Sequence, residues 1–204
     1  MTNNSEAVLP MNKTNFIFGM ITRILTMPPI VTGGTVFLLY YYSHIMTWHE
    51  MLMSELFFLI LPALAYPVSL FIPGKMDMRT KQRSTALVFS LIGYALGFIW
   101  TLLSPHSEII NILFGSYIIS VIALIICTKL LKFRASGHAC STTAPAVLLP
   151  WHFGLIAVIP CTLLILAVYN SSLKLKRHSL AQLFAGSAIS VAASIFCIIF
   201  FSHP

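Results

Sequence analysis

The chain has 204 residues, of which 58% are hydrophobic and 8% charged, with a mean hydropathy of +0.90. Soluble domains carry about 25% charged residues, and a soluble fold of this size could not hide so much apolar surface. The formal charge of +7, from 12 Lys and Arg against 5 Asp and Glu, lies in short segments between apolar runs, which points to anionic headgroups and a phosphate-bearing substrate rather than to nucleic acid.

Several apolar stretches of about 18 or more residues predict an all-α fold, a polytopic helical membrane bundle of six or seven segments. Residues 1–27 read as an N-terminal tail and interfacial helix, and 28–204 as one membrane-embedded domain. Met1 to Glu6 lacks the basic region and cleavage site of a signal peptide, so the first span is expected in the mature chain. Residues 14–27 are amphipathic, with Arg23 on the polar side, and Pro28-Pro29 stops them. A first span is expected over Ile30–Met46, ending in the aromatic belt of Tyr40, Tyr41, Tyr42 and Trp48. His44, His49 and Glu50 follow, at a spacing that does not put two metal ligands on one helical face.

The second span is expected over Met53–Ile72, kinked near Pro62 and Pro67, and Lys75 to Arg83 form the densest polar loop. Spans over Thr85–Leu103 and Ile109–Leu131 come next, separated by the turn Ser104–Glu108. From Ser136 to Tyr169 two shorter helical segments are expected, broken around Pro150–Gly154, the first with an unusually polar start. A polar first turn in a membrane helix should face protein or a water-filled site. The loop Asn170–Arg177 leads into a last span, His178–Phe201, whose small residues suit close helix packing. Cys127, Cys140, Cys161 and Cys197 are scattered and read as small buried hydrophobes. His106, His152 and His203 read as structural or solvated.

Counting spans places the loops 75–83, 132–138 and 170–178 on one face, together with all 12 Lys and Arg. The positive-inside rule favours the cytoplasm for that face. Two histidines, His138 and His178, sit there where apolar segments meet basic loops. Ser136 and Gly137 at a helix start offer backbone N–H groups to an anion. Arg83 and Arg134 suit bidentate phosphate binding, with Lys75, Arg79, Lys174 and Arg177 as auxiliary cations. No His, Asp or Glu set has ligand spacing, so neither metal nor cofactor is expected.

A basic loop with Arg83, then Ser136-Gly137-His138, then a polar loop ending in His178 and Gln182 resembles the type 2 phosphatidic acid phosphatase superfamily, bacterial branch. The resemblance spans roughly residues 20–202. The family's motifs are Lys-x6-Arg-Pro, Pro-Ser-Gly-His and Ser-Arg-x5-His-x3-Asp. Here Met76, Ser84, Ala135, Ser172 and Gln182 replace the usual Lys, Pro, Pro, Arg and Asp. The resemblance implies a multi-pass protein of the plasma (inner) membrane that hydrolyses a lipid phosphate monoester or polyprenyl pyrophosphate without a metal. It casts His178 as the nucleophile that takes the phosphoryl group, His138 as the acid for the leaving oxygen and Gln182 as the residue orienting His178. Many members of that family act at the outer membrane face.

An amide at 182 supplies no charge and is free to select the wrong tautomer of His178. Neutralising the acid of a catalytic triad costs about 10⁴ in kcat. A catalytically impaired relative that binds anionic lipid or a membrane partner is therefore the alternative. A small transporter is disfavoured, since no inverted repeat is visible.

Overall fold

The computed structural model describes residues 13–73 and 77–202; Lys75 and His203 lie outside them. The described residues form α1 (Lys13–Leu25), α2 (Pro28–Leu38), α3 (Trp48–Glu55), α4 (Leu61–Phe71), α5 (Met78–Leu103), α6 (Glu108–Lys129), α7 (Gly137–Phe153), α8 (Val158–Lys174) and α9 (Leu180–Phe201), with no strand among them. The fold is the expected all-α bundle. The runs Trp48–Phe71, Met78–Leu103, Glu108–Lys129, Gly137–Lys174 and Leu180–Phe201 are long and apolar enough to cross a membrane. The pair α1 and α2, bent by 47°, qualifies as a sixth. These are the dimensions of a multi-pass membrane protein.

Local chemistry sets the helix ends. Thr47 and Glu50 form a capping box, so the second span starts at Trp48 rather than at the expected Met53. Pro62 has no N–H for the carbonyl one turn back, and a wide turn over Leu56–Ile60 absorbs the mismatch between α3 and α4. Asp77 caps α5, accepting from the Thr80 N–H at 2.9 Å. The basic stretch expected as loop up to Arg83 is therefore helical from Met78, where Lys, Arg and Gln are good helix formers.

The run Gly137–Lys174 folds back on itself. Cys161 Sγ lies 4.0 Å from the Pro145 carbonyl oxygen, whereas a straight helix would separate them by about 24 Å. The reversal falls at Gly154, whose φ of 73° suits glycine. The break expected around Pro150–Gly154 is this hairpin of α7 and α8.

The core surrounds α6, whose Ile110, Ile112, Leu113, Phe114 and Tyr117 are almost completely buried. Phe58 stacks on Phe114 with centroids 4.3 Å apart. Pro145 leaves the Ser141 carbonyl without its helical partner, and the Tyr117 hydroxyl donates to that carbonyl at 2.8 Å. Thr32 Oγ1 of α2 lies 3.2 Å from the same hydroxyl. At one end of the bundle Glu50 accepts from the backbone N–H groups of Thr47 at 2.7 Å and Ser107 at 3.1 Å, and from His106 Nδ1 at 3.2 Å. His106 is thus structural, tying α3 to the turn between α5 and α6.

Tyr117→Phe should lower stability by about 1–3 kcal/mol, because it strands a carbonyl in apolar surroundings. Pro145→Ala, which restores the helical N–H, should make that loss smaller in the double variant. Thermal unfolding of the four proteins in one detergent measures the coupling.

Candidate functional site

The opposite end of the bundle gathers the ends of α1, α4 and α8 and the starts of α5, α7 and α9. Ser136 is the N-cap of α7, its Oγ accepting from the Ala139 N–H at 3.3 Å. Its own N–H donates to the Gln182 carbonyl at 2.9 Å. A Cβ on Gly186 would stand 2.2 Å from the Ser136 carbonyl oxygen, so only glycine lets α9 approach this loop so closely. The Ser136 hydroxyl is thus committed to the helix cap. Gly137 is exposed, and a Cβ there would meet only Leu124 at 3.8 Å. The first-turn N–H groups of Gly137 and His138 have no intrahelical acceptor.

His178 is set by two helix ends. The last turn of α8 closes in a Schellman arrangement: the Lys176 N–H donates to Leu173 O and the Arg177 N–H to Ser172 O, both at 2.9 Å. Lys176 takes the left-handed conformation this needs, with φ 49°. Ser179 then caps α9 in a box with Gln182. Gln182 Oε1 lies 3.3 Å from the Ser179 N–H and 3.0 Å from His178 Nδ1.

This double contact fixes a tautomer. A backbone N–H only donates, so the Gln182 atom facing it is the oxygen. The same oxygen faces Nδ1, which must therefore carry the proton and leave Nε2 with its lone pair. The amide at 182 thus favours the tautomer protonated at Nδ1. Burial holds His178 below the ordinary histidine pKa, the Gln182 contact works in the opposite direction, and the charges of Arg23, Arg134 and Arg177 add to the lowering. Nε2 therefore stays unprotonated to lower pH than in an ordinary histidine.

His138 is 8% exposed. Its Nε2 lies 3.0 Å from Thr26 Oγ1 at the end of α1. The Thr26 hydroxyl donates to the Thr22 carbonyl at 2.8 Å, so the proton between Thr26 and His138 belongs to Nε2. The two histidines thus present opposite roles: a bare nitrogen on His178 and an N–H on His138, within electrostatic reach of each other.

The cations divide. Arg134 is exposed and its charge reaches His178. Arg177 reaches both His178 and Arg79. Arg79 rather than Arg83 is the residue of α5 whose charge also reaches Arg23. Arg83, partly buried one turn further along, makes no hydrogen bond with either histidine among the described residues. Lys81 is used elsewhere, donating to the Ile72 carbonyl at 2.9 Å. Lys174 is exposed, and Ser172 is fully buried.

Sequence spacing does not mark Arg23 and Thr26 as part of this end, beyond an arginine set in an apolar helix next to a Pro-Pro stop. Arg23 Nη1 is buried with no hydrogen-bond partner. Two clefts, lined by Tyr40, Tyr41, His44, Met46 and Trp48 and by residues around Glu50 and His106, lie at the other end, and no Lys or Arg lines them. Among the described residues no group of three His, Cys, Asp or Glu could hold a metal ion. Comparison with family models, curated proteins and solved structures finds no match to this chain.

Thr26→Val removes the acceptor for a buried imidazole N–H and should lower stability by about 1–3 kcal/mol. Thr26→Ser should lose much less. Melting temperatures of the two variants in one detergent make the comparison.

Proposed function

We propose that the protein is an integral-membrane lipid phosphatase that hydrolyses a lipid phosphate monoester or a polyprenyl pyrophosphate through a phosphohistidine. The observation that carries this reading is the opposed protonation of the histidines. His178 offers an unprotonated Nε2 in its tautomer fixed by Gln182, and His138 offers an Nε2–H. A phosphoryl-transfer pair needs a nitrogen with a free lone pair and an N–H that serves as acid once its ring is the imidazolium, and the two rings are oriented for those parts.

In the first step His178 Nε2 attacks phosphorus and the bond to the leaving oxygen breaks. His138, entering this step as the imidazolium with both ring nitrogens protonated, gives its Nε2 proton to that oxygen. In the second step His138, now neutral and with Nε2 bare, takes a proton from water as it attacks the phosphohistidine. Orthophosphate leaves and both histidines return to their starting states. Arg134, Arg177 and Arg79, with the free N–H groups of Gly137 and His138, would balance the phosphoryl charge. The excess of Lys and Arg at this end favours a cytoplasmic site in a plasma (inner) membrane.

A second reading follows from one observation. Gln182 holds the His178 tautomer without charge, so the imidazolium or phosphoimidazolium gains no counter-ion. A relative that binds anionic lipid and turns over slowly or not at all fits that feature.

His178→Ala should abolish phosphate release from lipid phosphate by the purified protein, and a ³²P label should stay on wild type after acid-sparing, alkaline quench. Gln182→Glu keeps the reach of the side chain and adds a charge, so it should raise kcat by about 10-fold or more. It should also raise the His178 pKa and move the acid limb of the pH profile upward. Binding of lipid phosphate with no turnover in either protein would favour the second reading.

A further inference from the structure

We propose that Arg23 is a phosphate-binding residue of this site, carried into it by the interfacial helix α1, and that the phosphate it meets is the headgroup of a membrane lipid. The inference rests on the phosphoryl-transfer reading and adds a ligand contact outside the three loops.

Arg23 lies on the same face of α1 as Gly19, which packs on Leu175 of α8, and as Thr26, which contacts His138. That face turns towards the site. Its guanidinium is partly buried, Nη1 has no partner, and the charges that reach it are those of Arg177 and Arg79. Its own charge reaches His138 and His178. The other group facing it is the phenol of Tyr66. Asp77, the acid at this end among the described residues, is exposed and bound to Thr80. A buried donor surrounded by like charge is unfavourable in the empty protein. A phosphate dianion between Arg23 and the arginines of the loops removes both problems at once.

The opposite face of α1 says where the phosphate comes from. Ile17, Phe18, Ile21, Ile24 and Leu25 are 48–64% exposed. That is an apolar surface able to meet lipid acyl chains. One helix thus presents acyl-chain contacts on one side and a phosphate donor on the other, the arrangement of a lipid carrying a terminal phosphate.

The probe is inorganic phosphate added to protein in detergent, read as a rise in melting temperature. Wild type and His178→Ala should both be stabilised. Arg23→Ala should need about 10- to 100-fold more phosphate for the same rise, as for loss of one charged hydrogen bond. Arg23→Lys, which keeps the charge without the fork, should fall between. A purely structural Arg23 would instead lower the melting temperature on replacement and leave the phosphate response intact, and that result overturns the proposal. An unchanged response in Arg23→Ala, with turnover lost in His178→Ala, removes Arg23 from the site and leaves the phosphatase reading standing. Turnover unaffected by His178→Ala removes that reading and this proposal with it.

The source of the phosphate is separated by substrate. Arg23→Ala should reduce kcat/KM by a similar factor for a long-chain lipid phosphate in vesicles and for a water-soluble aryl phosphate. Phe18→Asp with Ile21→Asp, on the exposed face, should reduce the lipid reaction alone. Equal loss with both substrates would overturn the lipid assignment.

Discussion

The close approach of α9 to the stretch before α7 is the constraint on which the rest of the site depends. It consists of one hydrogen bond, from the Ser136 N–H to the Gln182 carbonyl at 2.9 Å, and of one missing side chain, at Gly186. Together they bring two helix N-termini side by side, each with unsatisfied N–H groups and a partial positive charge. His138 and His178 ride on those two termini. Nothing in the hydrophobic packing of the bundle favours setting two positive ends next to a set of arginines. An anion between them would.

The two ends of the bundle handle polarity differently. At the Glu50 end a carboxylate has acceptors matched by donors from Thr47, His106 and Ser107. Inside the bundle Tyr117 replaces the N–H that Pro145 lacks. These arrangements satisfy groups that could find no water within a membrane. The arginine end has no comparable closure among the described residues: the recorded ion pair lies at the other end, and Arg23 Nη1 is unsatisfied. Unsatisfied buried polar atoms also occur along the spans, Glu55 Oε2 and Ser116 Oγ among them.

The helix order, the hairpin after Pro150 and the convergence of the polar ends on one face were legible because each follows from hydrophobic run lengths and Pro or Gly breaks. His178 and Gln182 were legible as a pair because i,i+4 spacing is local. What Gln182 does to the tautomer was not, since that depends on its second contact with the Ser179 N–H. The helical start at Met78 could have been read from Asp77 and Thr80, a cap three residues apart, but the density of charge masked it. Arg23, Thr26 and His106 needed the tertiary fold. Thr26 and His106 each meet a partner far along the chain and Arg23 comes near the charges of Arg177 and Arg79, and periodicity carries no information about which distant helix a polar face will find.

The shared acceptor at Gln182 ties folding to chemistry. The oxygen that completes the first turn of α9 is also the one that decides which nitrogen of His178 is bare. A chain that has closed this turn has, by the same contact, set the tautomer of His178, and a frayed turn would release the ring to either form. On the proposed phosphoryl-transfer reading, phosphorylation at Nε2 would leave the Nδ1 proton in place, so the helix start would not move. One tautomer of the imidazole is thereby tied to a correctly formed helix start.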